Sequence, residues 1–292
     1  MKKVLITGAN GFLGSNIIKL FLKKDYRIFA TKRKKSNLIR LKSYQKKIIF
    51  VKINSLNKYF SQNKFDLVIH CATNYGTNDK KLSDVIFPNL TLPLKLLELC
   101  EKHSVKRFIN TDTILPKNIS GYTLSKFQFY EWMKKFSEKV NCINIKIEHF
   151  YGPGDNKTKF VIKNLLDLIN KKKIIHLTKG RQKRDFIYID DVVSAFKKII
   201  SWSNKKNNGL YNFEIGTKKL NSIKNFMQLL KKLSNNKNTI LNFGSLPYRK
   251  GELMTSKVNN KNLLKLGWRP KYSLTKGLKK TIKYYSSNVS KF

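Results

Sequence analysis

Acidic side chains are scarce in this sequence: 17 aspartates and glutamates stand against 61 lysines and arginines, which gives a formal net charge of +44 at pH 7. An excess of this size can indicate binding to nucleic acid or to an anionic membrane surface. The lysines, however, occur in short, separated runs such as Lys171–Lys173, and no basic tail stands apart. We therefore interpret the charge as a compositional bias. We expect no nucleic-acid and no membrane partner, and we expect the charge to attract anionic substrates.

Long apolar runs and paired cysteines are also missing. No stretch reaches the roughly 18 uninterrupted apolar residues of a membrane-spanning helix. The first residues read as a strand, so we expect no signal peptide. Cys71, Cys100 and Cys142 are odd in number and widely spaced, a pattern typical of reduced thiols and not of a metal site. These features favour a cytoplasmic protein with one large or two modest domains.

A glycine turn near the N-terminus is the most informative feature that is present. The apolar run Val4–Ile6 is followed by Gly8, Gly11 and Gly14 at three-residue spacing, and apolar residues then recur at helical spacing over 17–22. In a strand–turn–helix unit, three such glycines allow a tight turn, approach of a pyrophosphate, and close helix packing. The pattern predicts an α/β fold of Rossmann type, a doubly wound parallel sheet that binds a dinucleotide.

The end of the second predicted strand, Tyr26–Thr31, indicates which dinucleotide is bound. An acidic residue at this point favours NAD, and a basic side chain accommodates the 2′-phosphate of NADP. The chain continues Thr31-Lys32-Arg33 without a carboxylate. We therefore predict NADP(H) as the cofactor, with NAD(H) as the alternative.

A Tyr-x-x-x-Lys motif at Tyr122 and Lys126 supplies a candidate proton donor. Spacing of four residues places both side chains on one helix face, and a nearby cation is expected to lower the pKa of a phenol. The same spacing recurs from Tyr130 and from Tyr272. Tyr122 is preferred because it follows the fifth predicted strand, Val105–Asn110, at the edge where open α/β sheets place their active sites.

Several segments in order resemble the extended short-chain dehydrogenase/reductase family, the NAD(P)-dependent nucleotide-sugar epimerases and dehydratases. They include TGANGFLG at 7–14, GRQKRDFIYIDD at 180–191 and LGWRP at 266–270. The resemblance covers nearly the whole chain. It implies a Rossmann domain over 1–150 and a smaller C-terminal α/β region over 151–292 that binds the nucleotide sugar, with some of its segments returning to the Rossmann domain.

The resemblance also implies a set of cofactor contacts in the glycine turn, the ribose segment and two later strand ends. These are Gly8, Asn10, Gly11, Phe12, Leu13, Gly14, Thr31, Lys32, Arg33, Asn54, Ser55, Cys71, Ala72 and Thr73, together with Tyr122 and Lys126. Asn54-Ser55 stands where the family usually has Asp-Leu beside the adenine. By the same resemblance the catalytic set is Thr111, Tyr122 and Lys126, and no metal is expected.

Five further residues are expected to contact the substrate by resemblance: Asp112, Thr113, His149, Arg184 and Arg249. The two arginines match the family's contacts to the substrate pyrophosphate. Family dehydratases end the fifth strand with Thr-Asp-Glu, whereas this chain reads Thr111-Asp112-Thr113. A threonine cannot abstract a C5 proton at neutral pH, which disfavours 4,6-dehydration.

Segments such as HCATNYG and NTDTILPKN look most like one branch of the family, the CDP-abequose synthase-type 4-reductases. The resemblance therefore implies NADPH-dependent reduction of a nucleoside-diphospho-4-keto-6-deoxyhexose at C4, for surface polysaccharides. The alternatives are an NAD-dependent 4-epimerase, a 4,6-dehydratase, and a non-catalytic NADPH-binding regulator. The short loop between Thr111 and Tyr122 trims the pocket wall, and the nucleotide base and the sugar stay open.

The resemblance further implies a homodimer, because the family commonly pairs two helices of each chain into a four-helix bundle. The corresponding stretches are 90–102 and 121–139, and both hold more apolar residues than one sheet-facing stripe needs. These residues are Leu92, Leu96, Leu97, Leu99, Phe127, Phe129, Trp132, Met133 and Phe136.

Overall fold

The computed structural model describes residues 1–34, 36–76 and 81–287. The chain forms two compact units. The first comprises Met1–Ile147 and Val193–Glu214, and the second comprises Glu148–Val192 and the chain from Ile215 onward.

The strands of the described residues are short, as expected for a chain that alternates strands and helices. They are β1 Lys2–Thr7, β2 Tyr26–Lys32, β3 Ile48–Lys52, β4 Leu67–His70, β5 Arg107–Thr113, β6 Asn141–Ile147, β7 His149–Tyr151, β8 Ile174–Leu177, β9 Lys183–Tyr188, β10 Gly209–Ile215, β11 Leu220–Ser222 and β12 Ile240–Phe243.

The helices follow the strands along the chain. They are α1 Phe12–Phe21, α2 Leu56–Gln62, α3 Leu82–Ile86, α4 Leu92–Lys102, α5 Gly121–Phe136, α6 Phe160–Ile169, α7 Ile189–Ser203, α8 Ile223–Leu233, α9 Lys261–Lys265 and α10 Leu274–Ser286. Segments of 3₁₀ helix cover Ile39–Lys47 and Ile53–Ser55, and a π-helical turn covers Phe87–Thr91. Within the described ranges, no helix combines the length and the apolar character needed to cross a membrane.

The first unit contains the predicted Rossmann sheet. Its strands lie in the order β10-β6-β5-β4-β1-β2-β3. The pairings of β1 with β2 and β4, of β2 with β3, of β4 with β5, and of β5 with β6 are all parallel. The doubly wound α/β fold predicted from the glycine turn is thereby confirmed.

Parallel pairing also determines where the functional residues lie. Because the strands run the same way, the carboxyl ends of β1 to β5 share one edge of the sheet. The glycine turn leaves β1 there, and the segments after β2, β3 and β4 leave at the same edge. The residues from Thr111 to Thr113 end β5 beside them.

The apolar residues of α4 have a different role from the one predicted. The four leucines, Leu92, Leu96, Leu97 and Leu99, are all buried in the core of the first unit, packed with residues of β4 and β5. On α5, Phe129 and Met133 are likewise buried. Helix α4 therefore has no second apolar face for a partner. On α3, the π-helical turn and α5, the exposed large apolar side chains are Leu82, Phe87, Leu124 and Trp132.

The chain passes to a separate sheet after β6, which ends at Ile147. The backbone N–H of Glu148 donates to the carbonyl of Ile215 at 3.2 Å, and β7 begins at His149. The side chain of Glu148, although charged, is buried at this break.

The second unit contains two small sheets. In its described part, β7 pairs with β9 in parallel, β9 pairs with β11 antiparallel, and β8 pairs with β12 in parallel. Stacked aromatic rings support the core, with Phe186 and Phe226 at a centroid distance of 4.1 Å. An offset aromatic pair of this kind adds about 1 kcal/mol beyond the burial of its area.

Candidate active site

The glycine turn forms a close backbone cradle. Gly8 has φ of +64°, and a Cβ there would lie 2.5 Å from the backbone nitrogen of Ala72. A Cβ on Gly14 would lie 2.3 Å from the carbonyl oxygen of Gly8. Both positions therefore require glycine. The turn lies directly against the Cys71–Ala72 backbone, so two of the predicted cofactor segments are brought together.

Helix α1 begins at Phe12, and Gly11 is its N-cap residue. Since Gly11 has no side chain to cap the helix, no capping side chain competes with an anion for the N-terminus of α1, where the positive end of the helix dipole lies. Leu13 and Gly14, the next residues of the helix, are buried. The geometry therefore fits the pyrophosphate of a dinucleotide.

Basic side chains gather at the predicted ribose position. Thr31 is buried, Lys32 lies with its ammonium 5.1 Å from the centroid of the Phe50 ring, and Arg33 is exposed. The guanidinium of Arg40 donates to the backbone carbonyl of Asn10 at 3.2 Å. Sequence reasoning missed Arg40, because only the helical turn Ile39–Lys47 returns it to the glycine turn.

The remaining predicted cofactor residues follow β3 and β4. Asn54 is exposed and Ser55 half-buried in the turn Ile53–Ser55. Cys71 is buried, and burial raises the pKa of its thiol to about 12. This thiol therefore stays protonated and contributes packing rather than chemistry.

Lys126 lies beneath the carboxyl end of β5. Its side chain is 2% exposed, and Nζ donates to the backbone carbonyl of Thr111 at 2.8 Å. Burial lowers the pKa of this ammonium to about 8, while the nearby carboxyl of Asp112 acts in the opposite direction. The hydroxyl of Thr111 donates to the carbonyl of His70 at 2.9 Å.

The ring of Tyr75 packs on the phenol of Tyr122 with a centroid distance of 5.0 Å. The pKa of Tyr122 is raised, because burial disfavours the phenolate and the neighbouring Tyr75 and Asp112 add to this. The side chains of Thr113 and Thr73 act on this pKa in the opposite direction. The spacing of Tyr122 and Lys126 predicted that the lysine would lower this pKa. The ammonium of Lys126 instead donates a hydrogen bond to the backbone carbonyl of Thr111.

Neither competing Tyr-x-x-x-Lys motif has comparable surroundings. Tyr130 accepts a hydrogen bond from the amide of Asn212 at 3.1 Å, and Lys134 bonds Glu131 on the surface. Tyr272 lies in the second unit, with the ammonium of Lys276 5.5 Å from its ring centroid. Tyr122 therefore remains the predicted proton donor.

A buried amide chain holds Asp112. The amide nitrogen of Asn144 donates to its Oδ2 at 2.9 Å, and the backbone N–H of Thr113 donates to its Oδ1 at 2.7 Å. The amide of Asn110 in turn donates to Asn144 at 2.8 Å. Burial raises the pKa of Asp112 despite these bonds. The network fixes the carboxyl at the end of β5.

Asn89, in the π-helical turn, holds Thr73. The Thr73 hydroxyl donates to Asn89 Oδ1 at 2.8 Å, while the Asn89 amide donates to the carbonyl of Asn74 at 2.7 Å. Sequence reasoning assigned Thr73 to the cofactor and had no signal for its influence on the pKa of Tyr122, which lies 49 positions further along the chain.

Three predicted substrate residues belong to the second unit. Arg184 is buried and ion-pairs with Glu252, and its Nη1 donates to the carbonyl of Lys183 at 2.9 Å. Arg249 is exposed on the turn that leads to Glu252. His149 is also exposed, with Nδ1 2.8 Å from Oε1 of Glu148. Among the described residues, no cluster of side chains could hold a metal ion.

Comparison with known proteins identifies the family. Residues 4–216 match the model of the NAD dependent epimerase/dehydratase family. The CDP-abequose synthase of Salmonella muenchen is 35% identical over 291 residues, which cover 96% of this chain and 97% of that protein.

Solved structures share the fold. The UDP-glucose 4-epimerase of Thermotoga maritima with UDP-glucose superposes with a TM-score of 0.86 at 22% identity, covering 98% of this chain and 99% of that one. The dTDP-glucose 4,6-dehydratase of Bacillus anthracis in complex with NAD has a TM-score of 0.84 at 19% identity, covering 99% and 98%. Identities at this level support the fold alone.

Proposed function

The chain belongs to the NAD dependent epimerase/dehydratase family, and on that premise we propose that it is an NADPH-dependent reductase acting at C4 of a nucleoside-diphospho-4-keto-6-deoxyhexose. The family and the relatives support an NAD(P)-dependent enzyme that modifies nucleotide sugars. Reduction at C4 and the use of NADPH are proposed from the residues of the site.

Two residues near the end of β5 carry the proposal: Tyr122 can donate a proton, and Thr113 stands where dehydration needs a base. The raised pKa of Tyr122 keeps the phenol protonated at neutral pH, as a proton donor requires. An epimerase needs this group first as a base, and a dehydratase needs a further base that Thr113 cannot supply. Reduction requires only a proton donor at this position, and the protonated phenol of Tyr122 can serve as one.

The cofactor proposal rests on the glycine cradle and on the ribose segment. The backbone N–H groups at the start of α1 would hold the pyrophosphate, and Lys32 and Arg33 would face the 2′-phosphate. NADPH, when bound, supplies the hydride. A 2′-phosphate is an anion that guanidinium and ammonium groups bind well, and the segment offers no carboxylate to compete.

The chain's own residues then act on the carbonyl of the substrate. Tyr122 donates its proton to the C4 oxygen as negative charge develops there. Lys126 supplies a positive charge near the site. The family resemblance assigns Thr111 to the same oxygen, a role that requires its hydroxyl to turn from the carbonyl of His70 to the substrate. The diphosphate of the substrate is assigned to Arg184 and Arg249.

The relatives support the choice of substrate. The match to CDP-abequose synthase covers nearly the full length of both chains. The test supplies CDP-, dTDP- and GDP-linked 4-keto-6-deoxyhexoses with NADPH and follows the nicotinamide absorbance. We expect stoichiometric oxidation with at least one of them. Inversion of an ordinary nucleotide hexose at C4, without added cofactor and without NADPH oxidation, would show an epimerase instead.

Two variants show whether the assay reports the assigned site. Tyr122→Phe removes the phenol hydroxyl and is expected to lower turnover by roughly 10²–10⁴, the usual contribution of general acid catalysis. Tyr130→Phe removes a hydroxyl from the same helix and serves as the matched control. Equal losses in the two variants would contradict the assignment of Tyr122.

A further inference from the structure

A buried carboxylate holds the ring of His149 in the second unit. His149 is exposed at the start of β7, and its Nδ1 lies 2.8 Å from Oε1 of Glu148, the residue before it. The side chain of Glu148 is fully buried, and the same Oε1 accepts a hydrogen bond of 2.7 Å from the hydroxyl of Ser256. Because a carboxylate only accepts hydrogen bonds, Nδ1 of His149 donates to it. The ring nitrogen left to meet a ligand is Nε2.

The arrangement around Glu148 is costly for stability. Its second oxygen, Oε2, is buried, and the part of the chain that the structure describes offers it no hydrogen-bond partner. A buried carboxylate with one oxygen unsatisfied costs free energy, which an apolar side chain of similar volume would avoid. The chain nevertheless places a carboxyl here, against an exposed histidine. We interpret Glu148 as a group that orients His149.

His149 shares a sheet face with Arg184. In the parallel pairing of β7 with β9, His149 is in register with Phe186, and their rings pack with a centroid distance of 5.9 Å. Arg184 precedes Phe186 by two positions on β9, so its side chain leaves from the same face. The rise per residue and the spacing of neighbouring strands place the backbones of Arg184 and His149 roughly 8 Å apart. Two side chains at this separation can contact one ligand.

One segment of the second unit supports both side chains. Glu252 pairs with the guanidinium of Arg184, and Ser256, four positions later, donates to the carboxyl of Glu148. The segment between them runs beside the start of β9. A guanidinium is always a donor, and a histidine in its cationic form donates from Nε2 as well. Two such donors on one face suit an anion that carries several oxygens.

We propose that Glu148 is a positioning residue, which orients His149 so that Nε2 contacts the diphosphate of the nucleotide-sugar substrate beside Arg184. The proposal rests on the proposed function, since the diphosphate is that of its substrate. Glu148 itself does not touch the ligand. Its Oε1 fixes Nδ1, and the fixed ring then determines where Nε2 lies. Removal of Glu148 should therefore weaken binding of the diphosphate only through His149.

The test is a double-mutant cycle on the binding of nucleoside diphosphates to the full chain. CDP, dTDP and GDP carry the diphosphate without a sugar, and titration calorimetry measures their Kd. For the one that binds best, His149→Phe keeps the packing on Phe186 and should weaken binding roughly tenfold to a hundredfold, the range for a hydrogen bond to a charged group. Glu148→Leu should weaken binding to a similar extent. Glu148→Gln keeps an acceptor for Nδ1 and should recover part of the affinity.

Coupling between the two residues distinguishes positioning from a structural role. In the double variant Glu148→Leu with His149→Phe, binding should be no weaker than in His149→Phe alone, because Glu148 acts only through the ring. Affinity for NADPH should be unchanged in every variant, which also shows that each is folded. If Glu148→Leu loses this affinity, the cycle is built with Glu148→Gln instead. Nitrogen NMR of histidine-labelled protein should find the proton of the neutral His149 ring on Nδ1, and Glu148→Leu should remove this preference.

Three results would overturn the proposal. The losses of the two single variants could add in the double variant, which indicates that Glu148 acts independently of His149. Glu148→Leu could bind the nucleotide as tightly as the wild type does. The wild type could bind none of the three nucleoside diphosphates. Failure of the proposed function is distinct, because the wild type would then bind a nucleoside diphosphate and still oxidise no NADPH with any 4-keto substrate.

Discussion

Lys126 donates a hydrogen bond of 2.8 Å from its ammonium to the backbone carbonyl of Thr111, 15 positions earlier in the chain. The bond ties helix α5 to the end of β5 and keeps a cation below the catalytic edge. Because the ammonium is buried, its pKa is lowered to about 8. The charge of this lysine is therefore sensitive to pH in a range where enzymes are routinely assayed.

The burial of Lys126 predicts how kcat changes at alkaline pH. The lysine is a cation below about pH 8 and becomes neutral above it, so kcat should fall as pH rises through that value. The other groups that act on Lys126 are Asp112 and Cys71, and the thiol stays protonated there. Tyr122 is not the titrating group, because its pKa is raised.

The matched variant is Lys126→Arg, since a guanidinium stays charged to a pH above about 12. In this variant kcat should no longer fall as the pH rises through about 8, even if the activity is lower at every pH. An unchanged fall of kcat in this variant would assign the titration to another group.

Cofactor preference tests the ribose segment. We expect NADPH to bind more tightly than NADH, and Arg33→Ala to weaken NADPH binding while leaving NADH binding nearly unchanged, because only NADPH carries the 2′-phosphate. Arg27 lies near the start of β2, whereas Arg33 follows its end, and Arg27→Ala is therefore the control. Fluorescence titration measures both affinities, and tighter binding of NADH by the wild type would contradict the argument.

The Arg184→Ala variant tests whether Arg184 binds the diphosphate of the substrate. Arg184→Ala should raise the substrate KM and leave NADPH affinity intact, because a guanidinium lost from a diphosphate site removes charge-assisted bonds. Part of the effect arises from its partner, since Glu252 loses its ion pair. Glu252→Gln measures that part, and the exposed Arg181→Ala controls for net charge. Loss of NADPH affinity in Arg184→Ala would place this arginine elsewhere.

The exposed apolar residues predict association of two chains. Leu82, Phe87, Leu124 and Trp132 lie on α3, the π-helical turn and α5, elements that contact one another. An apolar patch of this kind marks an interaction surface. We expect a mass of twice 34.2 kDa by light scattering at micromolar concentration. Leu124→Glu should shift it towards the monomer, whereas Ile240→Glu, at an exposed apolar residue of the second unit, should not. A monomeric wild type would refute the homodimer.

The sequence predicted the fold well because its signals were local. The run from Val4 to Gly14 contains strand, turn and helix start within a few residues, and the structure confirms the sheet that this order predicts. Predictions that depended on distant contacts did less well. The leucines of α4 were expected to serve a partner, but they fill the core against β4 and β5.

In the candidate site, too, local relationships could be predicted from the sequence and contacts between distant segments could not. Tyr122 and Lys126 could be found from their spacing, because one helix carries both. The influence of Thr73 and Thr113 on the pKa of Tyr122 could not be predicted, because Thr73 follows β4 and Thr113 ends β5. Arg40 was missed for a similar reason, since a helical turn brings it back to Asn10.

The most direct test of reduction at C4 follows the hydride itself. NADPH deuterated at the transferred position is supplied with the 4-keto-6-deoxyhexose nucleotide, and the product is examined by NMR. The account predicts one deuterium at C4 of a 6-deoxyhexose for each NADPH consumed. A product without deuterium at C4, or a nucleotide hexose inverted at C4 with no NADPH consumed, would contradict it.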